Sequence, residues 1–196
     1  MHGTAERTEP ETCAYELDAA FRIVAVDARW SEFATANDAP ELASGQLGRS
    51  VLDFIADSTT AQFYRQLFQR VQDTGSPVTL PFRCDSPTRR RFLNLTIERR
   101  DDGGLRLNTT VTKIEPRPPM ELLGRRRDSG GDPLRVCGWC KSVDVGGRWS
   151  EVEEAVRSLR LFDRDLLPPV THGICPPCHA KLIRRFGLAE RSEATS

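Results

Sequence analysis

The stretch LNLTIERRDDGGLRLNTTVTKI, residues 93–114, decides the fold of the first half of the chain. Apolar and polar residues alternate on both sides of Asp101-Asp102-Gly103-Gly104. This period of two is typical of strands with one buried face. Acidic residues and glycines between two such runs favour a tight turn. The stretch therefore predicts an antiparallel hairpin, with strands over 91–99 and 105–114.

The residues before the hairpin predict further strands and a long helix. Alternating patterns indicate three more strands, over 15–17, 21–26 and 78–84. Between the second and third, apolar residues recur at helical spacing up to about residue 74. Ser58 or Thr59 would cap this helix, and Gly75 stands where a helix-ending glycine is expected. The order of elements indicates an α+β unit: two strands, helices, then three antiparallel strands.

Three segments of this half resemble the PAS domain family: FRIVAVDARWSEFA (21–34), GRSVLDFIAD (48–57) and the hairpin at 93–114. Asp27 stands where the family commonly has Asn. The resemblance implies a PAS-like sensory domain over residues 13–115, with a curved five-stranded antiparallel sheet and helices on one face. It further implies a unit that either holds a small ligand or serves for pairing, and both readings stay open. A histidine-ligated haem is not expected, since no histidine lies between residues 3 and 171.

A change of composition separates this half from the rest of the chain. Prolines, glycines and the run Arg125-Arg126-Arg127 mark residues 116–133 as a linker. A second unit follows over residues 134–188, with helices predicted at 150–161 and 177–186. Ser150 and Glu153 have the spacing of a capping box. So short a unit buries little core, which predicts an additional staple.

Four of the six cysteines offer that staple, as two Cys-x-x-Cys pairs: Cys137, Cys140, Cys175 and Cys178. Each pair presents two sulfurs from one tight loop, and zinc prefers four tetrahedral thiolate or imidazole ligands. The spacing therefore predicts a closed, structural zinc site. His172 and His179 are the second-choice ligands.

Other chemistries fit the same cysteines and stay open at this point. A dithiol redox switch would use the Cys137-Gly-Trp-Cys140 pair. Residues 175–179, Cys-Pro-Pro-Cys-His, match the attachment pattern of c-type haem. An iron–sulfur cluster also takes four thiolates.

The second unit carries a resemblance of its own. CGWCKSVDVGGRWSEVEEAV (137–156) and THGICPPCHAKL (171–182) resemble a small cysteine module found beside sensory domains in bacterial signalling proteins. The resemblance implies a signalling role and leaves the mechanism open.

Charge and hydropathy exclude several classes of protein. The 28 Lys and Arg residues balance 28 Asp and Glu residues, so nothing global demands a nucleic acid or an anionic membrane. No apolar run is long enough to span a bilayer, and the first residues lack the apolar region of a secretory signal. We therefore expect a cytoplasmic chain without membrane contact. No catalytic motif stands at recognisable spacing, which predicts that the protein is not an enzyme.

Three functional hypotheses follow. The first is a sensor and adaptor that passes its state to a signalling partner, with homodimers as one arrangement. The second is a transcription-associated regulator that contacts DNA through Arg89-Arg90-Arg91, Arg125-Arg126-Arg127 and basic residues near 181–185, although such runs more often form solvated loops. The third is a redox sensor in which thiol oxidation releases the metal.

Overall fold

The predicted hairpin forms the centre of a five-stranded sheet in the computed structural model, which describes residues 12–27, 29–30, 45–120, 122, 132–161 and 167–188. The strands are β1 (Thr12–Leu17), β2 (Ile23–Val26), β3 (Val78–Arg83), β4 (Arg89–Arg99) and β5 (Leu105–Pro116). Their order is β2-β1-β5-β4-β3, and every pair is antiparallel. The predicted α+β class and five-stranded sheet are confirmed.

Glycine at position 104 is required where the hairpin turn meets β1. A Cβ on Gly104 would collide with the carbonyl oxygen of Leu17. Leu17 is paired with Leu105, so β1 lies directly beside the turn. The glycine therefore lets the first strand join the sheet at the base of the hairpin.

Helix α1 (Ser58–Thr74) covers one face of the sheet. Its buried side chains recur every three or four residues, so they form one stripe along the helix. This stripe and the inward-facing residues of the strands make the first core: Phe63, Leu67, Phe68, Val71, Leu80, Leu95, Ile97, Leu105 and Leu107. Helix and sheet thus fill the space between them with their own side chains.

The ends of α1 confirm one predicted signal and correct another. Gly75 ends the helix in the left-handed conformation, as predicted. The predicted cap at Ser58 or Thr59 is wrong, because Asp57 is the N-cap and its carboxylate accepts the Thr60 N–H at 2.8 Å. An aspartate one residue earlier offers a charged acceptor to the free N–H groups of the first turn.

The second half contains a sheet that the sequence pattern did not predict. Its strands are β6 (Leu134–Cys137), β7 (Val143–Val145), β8 (Arg148–Ser150) and β9 (Val170–Gly173), in the order β8-β7-β6-β9. The strands β6 and β9 are parallel, whereas the other two pairs are antiparallel. Strands this short carry too few alternations to be distinguished from loops.

Two helices accompany this sheet: α2 (Val152–Ser158) and α3 (Pro176–Phe186). Both predicted helices are present, although α2 is shorter than expected. The predicted capping box is wrong, since Ser150 ends β8 and Glu151 takes the N-cap position without a side-chain hydrogen bond.

Part of the predicted linker is packed into a second core. Met120 and Leu122 are buried together with apolar residues of the second sheet and α2: Val136, Val143, Val152, Ala155, Val156, Leu161 and Leu167. The run 125–127 lies outside the described residues. The division into 13–115, 116–133 and 134–188 stays a prediction, and the buried pair shows that residues near 120 contribute to the second unit.

A buried ionic network joins the two halves. The Asp85 carboxylate contacts the guanidinium groups of Arg83 at 2.5 Å and Arg117 at 3.0 Å. Arg117 also lies 2.7 Å from Glu153 on α2, which in turn pairs with Arg90. The side chains of Asp85 and Arg117 are 0 % exposed, so each charge depends on its partners for compensation.

The network corrects the interpretation of Arg89-Arg90-Arg91 as a solvated loop. All three residues belong to β4, and Arg90 pairs with Glu153. Arg91 is buried, and its Nε donates to the carbonyl oxygen of Cys84 at 2.9 Å. This arginine run is therefore part of the structure, which weakens it as a nucleic-acid surface. No described helix is long and apolar enough to cross a membrane.

Replacing Asp85 should strongly destabilise the fold. Asp85→Ala leaves Arg117 buried with one carboxylate fewer, and breaking a buried pair from one side typically costs about 3–5 kcal/mol. The free energy of unfolding, measured with urea, should fall by roughly that amount. Glu154→Ala is the matched control, because the Glu154–Arg148 pair is exposed and should be worth less than about 1 kcal/mol. Equal effects in the two variants would contradict a structural role for the buried network.

Candidate metal centre

The parallel pairing of β6 with β9 brings the two Cys-x-x-Cys loops together. Cys137 is the last residue of β6 and is in register with Gly173, the last residue of β9. Cys175 follows Gly173 by two residues, so both loops leave the same end of the sheet. Gly138 N–H donates to the Gly173 carbonyl at 2.8 Å and extends this contact beyond the strands.

Backbone hydrogen bonds hold the first loop in a tight turn. The Lys141 N–H donates to the Cys137 carbonyl at 3.0 Å, and the Cys137 N–H donates to the Ser142 carbonyl at 2.8 Å. Lys141 has a φ of 63°, the left-handed conformation in which the chain reverses directly after Cys140. This turn places the sulfurs of Cys137 and Cys140 on one side of the loop.

The second loop is the start of helix α3. Cys175 is the N-cap residue, and Pro176 opens the helix, where a missing N–H costs nothing. The sequence placed the helix start at Pro177, one residue later. The His179 N–H donates to the Cys175 carbonyl at 2.9 Å, so Cys178 lies within the first helical turn and beside Cys175.

The four sulfurs have the spacing of a tetrahedral thiolate site. Each donor atom of Cys137, Cys140, Cys175 and Cys178 lies within 4.8 Å of the others. The sulfurs of Cys140 and Cys175 are 3.7 Å apart. A tetrahedral zinc ion with Zn–S bonds of about 2.3 Å separates its sulfurs by about 3.8 Å. A disulfide would need about 2 Å, and all four cysteines are free.

Hydrogen bonds to sulfur complete the shell around the cluster. The Cys175 N–H donates to the Cys137 sulfur at 3.4 Å, and the Cys140 sulfur is hydrogen-bonded to the Ser142 hydroxyl at 3.2 Å. Such contacts orient ligands and spread the charge of thiolates. The donor set therefore fits zinc, with four sulfurs and a supporting shell.

The protonation of the cluster shows why a cation suits it. Burial raises the pKa of the Cys175 thiol to about 12. Hydrogen bonding to Cys137 raises the pKa of Cys178 and lowers that of Cys140. The cysteines thus cannot all ionise at neutral pH without compensation. A divalent cation between the sulfurs would supply that compensation.

The remaining candidate ligands lie outside the cluster. Within the described residues, the donor group contains the four cysteines and neither His172 nor His179. Cys13 is buried in β1, where burial raises its pKa to about 11, and Cys84 follows β3. Neither belongs to the group. The structure thus brings together the four predicted ligands, whereas the second-choice ligands His172 and His179 lie outside the group.

Sequence reasoning missed the contact that ties this centre to the first half of the chain. Trp139 lies inside the first cysteine loop, between Cys137 and Cys140. Its ring meets Phe63 edge-on at 5.5 Å and stacks on Tyr64 at 5.7 Å, both on α1. Cys137, Cys175 and residues of α3 belong to the same buried cluster as the first core. Aromatic residues at i and i+1 on a helix gave no signal that could have identified a partner so distant in sequence.

The chain was compared with known proteins. No protein-family model and no curated protein matches it. Among solved structures, a sensory box sensor histidine kinase from Vibrio cholerae is similar over 55 % of this chain and 86 % of its own, with 12 % identity and a TM-score of 0.36. A domain of an HTR-like protein from Haloarcula marismortui is similar over 53 % of this chain and 100 % of its own, with 13 % identity and a TM-score of 0.32.

Removing the Trp139 ring should destabilise both halves together. Large-to-alanine changes of buried aromatic residues cost about 3–5 kcal/mol, and this ring is shared by α1 and the cysteine loop. In Trp139→Ala, thermal unfolding followed by circular dichroism should remain a single transition at lower temperature. Trp149→Ala is the control, since Trp149 is only half-buried and should cost less. Two separate transitions, of which only one responds to Trp139→Ala, would show that the cores are energetically independent.

Proposed function

We propose that this chain is a non-catalytic bacterial signalling protein, a cytoplasmic sensor and adaptor. A PAS-like unit senses a ligand or mediates pairing, and a cysteine unit with structural zinc contacts a signalling partner. The observation that carries this proposal is the insertion of Trp139, from the cysteine loop, between the metal centre and helix α1. A change in the helix that covers the sheet would therefore move residues of the loop.

The assignment of zinc is supported by the donor set. Cys137, Cys140, Cys175 and Cys178 would hold the ion, and four thiolates leave no open position for a substrate or water. Zinc bound in this way supplies folding free energy to a short unit that has little core of its own. The role of the cysteines is then to fix the two loops against each other and to keep Trp139 in place.

Hydrogen bonds between the first sheet and the cysteine unit, together with exposed basic residues on α3, support an adaptor role. Arg83 on β3 donates to the Cys140 carbonyl at 2.7 Å, and Arg185 on α3 donates to the Thr79 carbonyl at 3.0 Å. The edge strand β3 is thus hydrogen-bonded both to the first cysteine loop and to helix α3, which carries Cys178. Lys181 and Arg184 lie exposed on α3, where they would be available to an acidic protein partner. The DNA-binding alternative gains no support from Arg91, which is buried.

One observation favours the redox hypothesis as a second candidate. Cys140 and Cys178 are half-buried, whereas Cys137 and Cys175 are buried. The outer pair lines a groove of about 220 Å³ with Pro81, Phe82 and Phe92. A small oxidant could therefore reach these two sulfurs first.

Zinc stoichiometry tests the proposed function most directly. Elemental analysis of purified protein should give about one zinc per chain, and Cys178→Ser should lose the ion and melt at lower temperature. Cys84→Ser is the matched control, because Cys84 lies outside the donor group and should retain full metal content. Protein without zinc, or with zinc unaffected by Cys178→Ser, would overturn the structural-zinc assignment. A coloured cofactor would point to haem or an iron–sulfur cluster.

Mild peroxide separates the sensor from the redox candidate. In a redox switch, two thiolates would lose two electrons to form a disulfide while hydrogen peroxide is reduced to water, and zinc would leave. For a structural site we expect zinc to stay bound, as measured with a chromogenic chelator in the Cys84→Ser background. Release of zinc that reverses on adding a thiol reductant and zinc would favour the redox candidate instead.

A further inference from the structure

A pocket opens where the two halves of the chain meet. Its volume is about 390 Å³, within the size range of small-molecule sites. Three segments form its walls: the region from Phe54 to the first turn of α1, the first cysteine loop, and strand β9. The lining residues are Phe54, Ile55, Ala56, Thr60, Tyr64, Phe82, Gly138, Trp139, Val170, Thr171, His172 and Gly173.

This pocket is distinct from the space between the sheet and α1. That space is filled by side chains with almost no exposure, among them Phe63 at 1 % and Leu67, Leu105 and Leu107 at 0 %. The pocket lies instead at the N-terminal end of α1, on the side that faces β9. The PAS resemblance places a ligand between sheet and helices, so it does not account for this pocket.

The lining chemistry selects an uncharged, aromatic occupant. Among the lining residues, all of which are described, none is Asp, Glu, Lys or Arg, although 29 % of the chain is charged. The nearest charges, Asp57 and Arg135 beside Gly173, are paired with each other at 3.6 Å, so an ion placed here would lose water without gaining a free counter-charge. Four aromatic rings line the pocket, and Phe54 is 41 % exposed at its rim. A planar ring could stack on these side chains.

Polar groups on the same walls would orient such a ring. Thr171 and His172 bring a hydroxyl and an imidazole to the pocket, whereas the Thr60 hydroxyl already donates to the Asp57 carboxylate at 2.7 Å. His172 is exposed on β9, and at neutral to mildly alkaline pH an exposed imidazole is mostly neutral, so it both donates and accepts.

We propose that this pocket binds a small uncharged compound with a planar aromatic ring and a hydrogen-bonding edge. The inference rests on the proposed sensor role, for which the pocket supplies an input site beside the metal loop. Gly138 and Trp139 are the two residues between Cys137 and Cys140, so a ring bound here contacts the loop that presents two of the metal ligands.

The experiment uses the full chain labelled with fluorotryptophan and observed by fluorine NMR. The labelled positions are Trp30, Trp139 and Trp149. Benzimidazole is the probe, because at mildly alkaline pH it is an uncharged planar ring with one donor and one acceptor. We expect a saturable shift of the Trp139 signal, while the Trp30 signal, from a residue outside the lining set, stays in place. Benzimidazole carboxylate, an anion of the same shape, should bind more weakly.

Two variants locate the binding site. Thr171→Phe fills the pocket and should abolish the saturable shift, whereas Thr110→Phe makes the same change at an exposed position of β5 and should leave it unchanged. His172→Ala removes one hydrogen-bonding group and should weaken binding about threefold to tenfold. Fluorine spectra without probe and melting curves establish that each variant is folded.

Several results would overturn the inference. They are no saturable shift of Trp139, equal shifts of all three tryptophans, or undiminished binding in Thr171→Phe. Zinc content measured on the same sample separates this failure from failure of the proposed function. Protein with one zinc per chain and no response to the probe would reject the pocket alone, and protein without zinc would reject the metal assignment whatever the probe does.

Discussion

The parallel register of β6 and β9 is the constraint on which the second half depends. It sets Cys137 opposite Gly173, so the two cysteine loops leave the sheet side by side. Parallel neighbours cannot be joined by a tight turn and need a crossover of a dozen residues or more. This explains why residues 141–174 separate the two pairs, a distance that looks long for a minimal zinc ribbon. The crossover is used to build β7, β8 and α2, whose apolar residues form the second core.

The same register explains why the cysteine loops belong to the first core. The first loop begins at the end of β6 and carries Trp139 between Cys137 and Cys140. Trp139 then reaches α1 and packs on Phe63 and Tyr64. Core packing is dense, so a displacement on one side of such a contact is transmitted to the other. The metal centre and the helix over the first sheet are therefore coupled by direct contact, and no separate relay is needed.

Features of the fold that depend on neighbouring residues could be predicted from the sequence. The hairpin at 93–114, the helix ending at Gly75 and the four clustered cysteines were all identified from neighbouring residues. The strands of the second sheet were missed because three or four residues show no clear period. The burial of Arg91 and the partner of Trp139 depend on residues far apart in sequence, which no local pattern encodes. Ser150 had the right spacing for a helix N-cap, but it is the last residue of β8, and Glu151 is the N-cap instead.

The boundary between the halves has two sides with opposite chemistry. On one side, Asp85, Arg117 and Glu153 form a network whose charges need partners in fixed positions. A buried network of this kind tolerates little displacement, because each shift leaves a charge uncompensated. On the other side, the pocket beside Trp139 is aromatic and lined by uncharged groups, so its contacts weaken gradually as the walls separate. The ionic side therefore fixes the two halves against each other, whereas the aromatic side leaves space for a small compound where Trp139 links the pocket to the metal loop.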